Sequence, residues 1–197
     1  MVKKKQLHRI MKTHFDIEKI VEKGIITNEL DYDRALIADR KLRILAKEDL
    51  HFKNLRTKLR DLIEKYENAE WSDVDKIDDT KLLESDKSEQ IAELERVFLD
   101  NRKQAIRKKL KELELTQENL GSILGHKSKT HMSELMNGIK PFTLKDLIII
   151  NRLLKIEIAI LIPVFLSKED QIKVKEAVIK LGKPKVKLTS DDLVIIE

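Results

Sequence analysis

The chain of 197 residues suits one or two domains, and its 41% apolar content supplies real cores and excludes wholesale disorder. Only 4% of residues are aromatic, with five glycines and three prolines, too little turn material for a β-sandwich; without cysteine there is no disulfide framework, thiolate zinc site or cysteine nucleophile. The formal net charge is +5 and unevenly spread: residues 1–15 carry five bases and no acid, 70–95 ten acids against three lysines, and 96–111 seven bases against one acid.

Residues 1–26 read two ways. Leu7, Ile10, His14, Ile17 and Val21 fit a helix, whereas Phe15–Val21 fits a short strand before Gly24. Asn28 can cap a helix carrying Tyr32, Ala35, Leu36, Leu42 and Leu45. After Lys47-Glu-Asp, an apolar stripe of Phe52, Leu55, Leu59, Leu62, Ile63 and Tyr66 defines a second helix, and the pair should form an antiparallel hairpin closed by Trp71. Residues 1–71 are therefore expected to be an N-terminal helical unit for dimerisation or partner binding. Residues 72–87 are acidic and lack a sustained period, which marks an acidic linker. From Ser88, the stripe Ile91, Leu94 and Phe98 continues through Ile106, Leu110 and Leu113.

Within 88–166 five short helices are expected, near Asp100–Leu113, Gln117–Leu124, Ser128–Met136, Leu144–Leu154 and Glu157–Leu161. Thr116 and Thr143 are candidate N-caps, and Gly138 stands where a helix end wants a left-handed residue. The remaining 167–197 reads as a helix, Lys168–Leu181, followed by a possible β-hairpin from Pro184 to the end. The fold class is thus mainly α. The apolar region Leu147–Leu166 is broken by Arg152, Lys155, Glu157 and Pro163, so no membrane span is expected; nor is a secretory signal, and a cytoplasmic protein is the expectation.

The most informative stretch is Leu115–Gly138. Two short helices meet at Gly125, and Gly121 lets them cross closely. Leu120, Leu124, Met132, Leu135 and Met136 face inward, leaving Lys127, Ser128, Lys129, Thr130 and Ser133, with His131 and Glu134, for the outer face. A short, cationic, hydroxyl-rich helix is the kind that enters a major groove. Lys127, Lys129 and Lys140 would neutralise phosphates, Ser128 either caps the helix or touches DNA, and Thr130, His131 and Ser133 are candidates for base edges. Of Arg102, Lys103, Arg107, Lys108, Lys109 and Lys111, spaced around one helix, only about a third can face a duplex.

The segments Leu115-Thr-Gln-Glu-Asn-Leu, Gly125 and Asn137-Gly-Ile-Lys-Pro, with the helix from Leu144, resemble the phage-repressor-like (XRE/Cro) helix-turn-helix family over about residues 100–162. The resemblance implies a five-helix lambda-repressor-like DNA-binding domain in which Gln117 bonds a phosphate and braces the recognition helix. One departure is that the step from Gly125 to Met132 is at least one residue longer than the family's turn. Asn28-Glu-Leu-Asp-Tyr-Asp-Arg-Ala-Leu, the following helix, and Tyr66-Glu before Trp71 look like HigA-type antitoxins. That likeness implies a homodimer that represses its own operon through a palindromic operator and neutralises a HigB-type mRNA-cleaving toxin.

No Gly-rich phosphate loop, nucleophile elbow or His-Glu-x-x-His helix occurs, and Asp78-Asp79 and Asp191-Asp192 read as solvated acids, so no enzyme, cofactor or metal is expected. Two competing functions stand beside the antitoxin: a stand-alone regulator of the same family, and an interaction adaptor without DNA binding.

Overall fold

The computed structural model describes residues 16–163, 168–183 and 185–186, save the side chains of Lys76 and residues 168–170. The described part is mainly helical, with nine α-helices, one short 3-10 turn and no strand. The basic residues 1–15, and the expected hairpin from Pro184 onward apart from Lys185 and Val186, lie outside the described residues. The described residues up to Leu161 form one unit, and those from Ile162 a second that holds α9 (Lys168–Leu181).

The first three helices are local in origin. Asp16 caps α1 (Ile17–Lys23) by accepting from the Lys19 amide, and Gly24 ends it at φ 72°, a left-handed conformation that suits glycine. The start at Ile17 settles the two readings of this stretch in favour of a helix. Asn28 caps α2 (Glu29–Leu45) as its position predicts, and Asp49 caps α3 (Leu50–Glu70). Helices α2 and α3 pack together, burying Ala35, Ala38 and Leu42 against Phe52, Leu55, Leu59, Leu62 and Ile63. At the far end Tyr32 and Tyr66 stack at 5.0 Å, while Tyr66 Oη and Trp71 Nε1 both donate to buried Glu29.

The expected acidic linker is a correction. After the turn Val74–Lys76, Asp78 accepts from the Lys81 amide and starts α4, an unbroken helix over Asp79–Glu112. Its 34 residues extend about 50 Å at 1.5 Å per residue. The segment lacks an apolar period because its first turns are mostly exposed, not because the backbone is irregular. Further along, α4 packs on α2. Arg34 donates through both Nε and Nη2 to Glu95, the last acid of the acidic run, and Lys41 pairs with Asp100 beyond it at 3.1 Å, so α2 answers acids of α4 internally.

The second half of α4 then packs against α5 (Gln117–Leu124), α6 (Lys129–Asn137), α7 (Leu144–Leu154) and the single-turn α8 (Ile158–Leu161). Their bounds lie close to the sequence expectation. Buried Ile106, Leu110, Leu120, Leu124, Met132, Leu135, Met136, Leu147, Ile150, Leu154 and Leu161 fill the space between them. No boundary separates this group from α1–α3. Ile139 is buried among the core residues of α1–α3, and its carbonyl accepts from the Ile17 amide at 3.1 Å. Burying that one side chain stabilises the junction by roughly 1.5–3 kcal/mol. The separate domains that the sequence suggested on either side of residues 72–87 are one unit built around α4.

Candidate nucleic-acid interface

The α5–α6 pair owes its geometry to four small residues. Thr116 accepts from the Asn119 amide while Asn119 Oδ1 accepts from the Thr116 amide, a reciprocal cap that fixes where α5 begins. Gly125, at φ 86°, turns the chain, and the His126 amide returns to the Gly121 carbonyl at 2.8 Å. Gly121 itself lies where a Cβ would stand 2.7 Å from Met132 Cγ, so the close crossing of the two helices requires its missing side chain. Ser128 accepts from the His131 amide and is the N-cap of α6, which places the helix start at Lys129 despite the lengthened turn.

The predicted contact residues divide into two sets. Lys127, Ser128 and Lys129 are exposed at the open end of α6, and half-buried Gln117 opens α5 beside them. All four line a groove of about 560 Å³ between the two helices, with Glu118 and Ser122. Lys129 pairs with Glu118 at 3.0 Å, but both side chains are largely exposed, at 82% and 66%, so the pair is worth little and is readily exchanged for a stronger anion.

The second set points at the protein. Thr130 donates its hydroxyl to Asp49 at 2.7 Å, and that bond, with the His51 amide, holds the Asp49 carboxyl below its ordinary range. His131 Nδ1 lies 3.1 Å from Glu134 Oε2, and its ring meets His126 edge-on at 4.9 Å. Ser133 is half-buried and accepts from Asn137 through both its carbonyl and its hydroxyl. Lys140 pairs with Glu18 at 2.5 Å and with buried Glu134 at 3.0 Å. Its ammonium, which burial alone would depress, is held above its usual range by those two carboxylates.

Further bases are also engaged. Arg102 is fully buried, its guanidinium 5.5 Å from the Phe98 ring and 5.2 Å from that of Phe142, and burial pushes it down to about 10. Lys103 donates to Asn137 Oδ1 at 2.6 Å and Lys109 to Glu112 at 2.7 Å. Arg107, Lys108 and Lys111 remain on the surface, half of the six bases counted on this helix.

Sequence reasoning missed the group that receives α6. Glu18 of α1 and Glu134 of α6 are bridged by Lys140 on one side and by His51 of α3 on the other, and Asp49 beside His51 takes the Thr130 hydroxyl. Burial raises the Glu18 carboxyl from its usual value; burial would do the same to Glu134, but hydrogen bonds with Glu18, Lys140 and His131 hold it lower. No local pattern announces such a group, since Glu18 and Glu134 lie on helices far apart in the sequence. Glu134, expected on the outer face of α6, is instead buried, its carboxylate held by Lys140 and His131. No family model, curated protein or solved structure matches this chain.

Proposed function

We propose that the protein is a sequence-specific DNA-binding repressor, with the second half of α4 and α5–α8 acting as a lambda-repressor-like domain. The observation that carries this reading is the open end of α6. Two lysines and a capped helix N-terminus, with its partial positive charge, face solvent beside Gln117 across a groove. Gln117, Lys127, Ser128 and Lys129 then meet phosphates and the nearest base edges, while Thr130, His131, Ser133 and Lys140 orient α6 from behind through their internal bonds.

As a homodimer the protein would present two such helices about 34 Å apart to successive major grooves of a palindromic operator. The antitoxin reading adds a small basic RNA-cleaving toxin as partner, supported by the exposed acids Glu84, Asp86 and Glu89 on α4. Because α4 is common to both halves of the first unit, the partner is best sought with the whole chain rather than with truncations.

The test is anisotropy of labelled duplex from the flanks of the coding sequence, across a salt series. Affinity should fall steeply, with a log–log slope of about −0.9 per phosphate neutralised. Lys129→Glu should weaken binding about tenfold and flatten that slope, with the helical circular dichroism unchanged. Equal affinity of the variant, or no retention of any duplex at low ionic strength, sinks the reading. Co-elution with the product of the adjacent gene separates the antitoxin from the stand-alone regulator.

A further inference from the structure

We propose that Glu18, His51 and Glu134 form a binding site for a divalent transition-metal ion, with zinc(II) the best match to the donor set. One donor comes from each of three elements, α1, the first turn of α3, and α6, so the site exists only in the folded first unit. The three donor atoms lie within 4.8 Å of one another. His51 Nε2 stands 3.2 Å from Glu18 Oε1 and 2.7 Å from Glu134 Oε1. A tetrahedral zinc ion with bonds of about 2.0–2.2 Å needs neighbouring donors some 3.3 Å apart, so a small swing of the His51 ring opens the space. That ring is 42% exposed and has the room to move.

The other oxygens of both carboxylates are already taken in the manner a metal site requires. Lys140 Nζ donates to Glu18 Oε2 and Glu134 Oε2, and His131 Nδ1 contacts the latter. Each carboxylate thus turns one oxygen to the lysine and the other to His51, and the outer hydrogen bonds fix the direction of the inner lone pairs. A divalent ion would displace any proton that Glu18 and Glu134 share, so metal binding should release protons and strengthen as pH rises. A fourth position opens on a cavity of about 350 Å³ whose polar lining is Glu18, Glu22, His51, Asn54 and Lys58. There Glu22, one turn beyond Glu18 on α1, or water completes the shell. One imidazole with carboxylates favours zinc, manganese or ferrous iron over copper(I), which prefers sulfur, and over magnesium or calcium, which prefer oxygen alone. This site departs from the metal-free expectation and stands whether or not α6 binds DNA.

Zinc chloride titrated into the full-length, chelator-treated protein tests the site by calorimetry and melting. One equivalent should bind, with the melting temperature rising by about 5–10 °C at a hundredfold excess over Kd. His51→Gln and Glu18→Gln, which keep a hydrogen-bonding side chain and are checked for helicity, should each weaken binding at least tenfold. His126→Gln should leave it unchanged. Absence of stoichiometric binding up to about 100 µM zinc overturns the site. So does binding undiminished in His51→Gln, or binding lost in His126→Gln, which would move the ion to the α5–α6 histidines.

Discussion

Asp33 carries an unusual load for a half-buried residue. One of its oxygens is buried with no hydrogen-bond partner among the described residues, and Glu29 lies one turn away on α2. Burial first, then the negative charges of Glu29 and Glu89, push its carboxyl from 3.8 up to about 6. The folded state therefore holds this proton more tightly than the unfolded chain. Its stabilising effect is fully present below about pH 4, fades as pH rises, and is gone above about pH 6, where an ionised Asp33 opposes its neighbours. Asp33→Asn should melt higher than the parent at pH 7, with the gap closing by pH 4. A gap that is constant across that range would show that the effect is not ionisation. Arg102 makes the complementary case, a buried cation tolerated because two aromatic faces flank it.

Between α5 and α7, two glycine turns look alike in sequence and differ in what surrounds them. Gly125 and Gly138 both adopt positive φ, at 86° and 70°. A Cβ on Gly125 meets open space, whereas one on Gly138 would stand 2.8 Å from Leu99 Cδ1 on α4. Gly125→Ala should cost only the left-handed penalty, about 1–2 kcal/mol. Gly138→Ala should cost clearly more, because Leu99 must also shift, and urea denaturation of the two variants measures the difference. Equal losses would mean that α4 does not bear on the α6–α7 turn as described. The same turn positions Ile139 and Lys140, so it sets how α6 meets α1.

At the scale of the molecule, α4 is the shared member. It packs on α2 in one half and on α5–α8 in the other, so neither half is expected to melt alone. Gln90→Pro, at an exposed position inside α4, removes a helix hydrogen bond and should destabilise by about 3 kcal/mol or more. Thermal melts should show one transition displaced as a whole; a persisting high-temperature transition at the parent midpoint would show that the α5–α8 group is independent. Among the described residues no helix is long and apolar enough to cross a membrane.

The helices were legible from residues alone where their determinants are local. Asn28, Thr116 and Thr143 cap α2, α5 and α7, Gly138 ends α6, and the spacing of Phe52, Leu55, Leu59 and Leu62 fixes the inner face of α3. These signals act within one or two turns, so no knowledge of the rest of the chain is needed to read them. What the tertiary structure alone decided is the direction of the polar groups. Lys140 turns to Glu18, Thr130 to Asp49 and Arg102 into an aromatic sandwich, while Lys127 and Lys129 stay outside. Such pairs form between residues up to 122 positions apart, brought together by apolar packing that places the backbones first. A lysine's partner is then whatever carboxylate that packing delivers, and charge in the sequence carries no address for it.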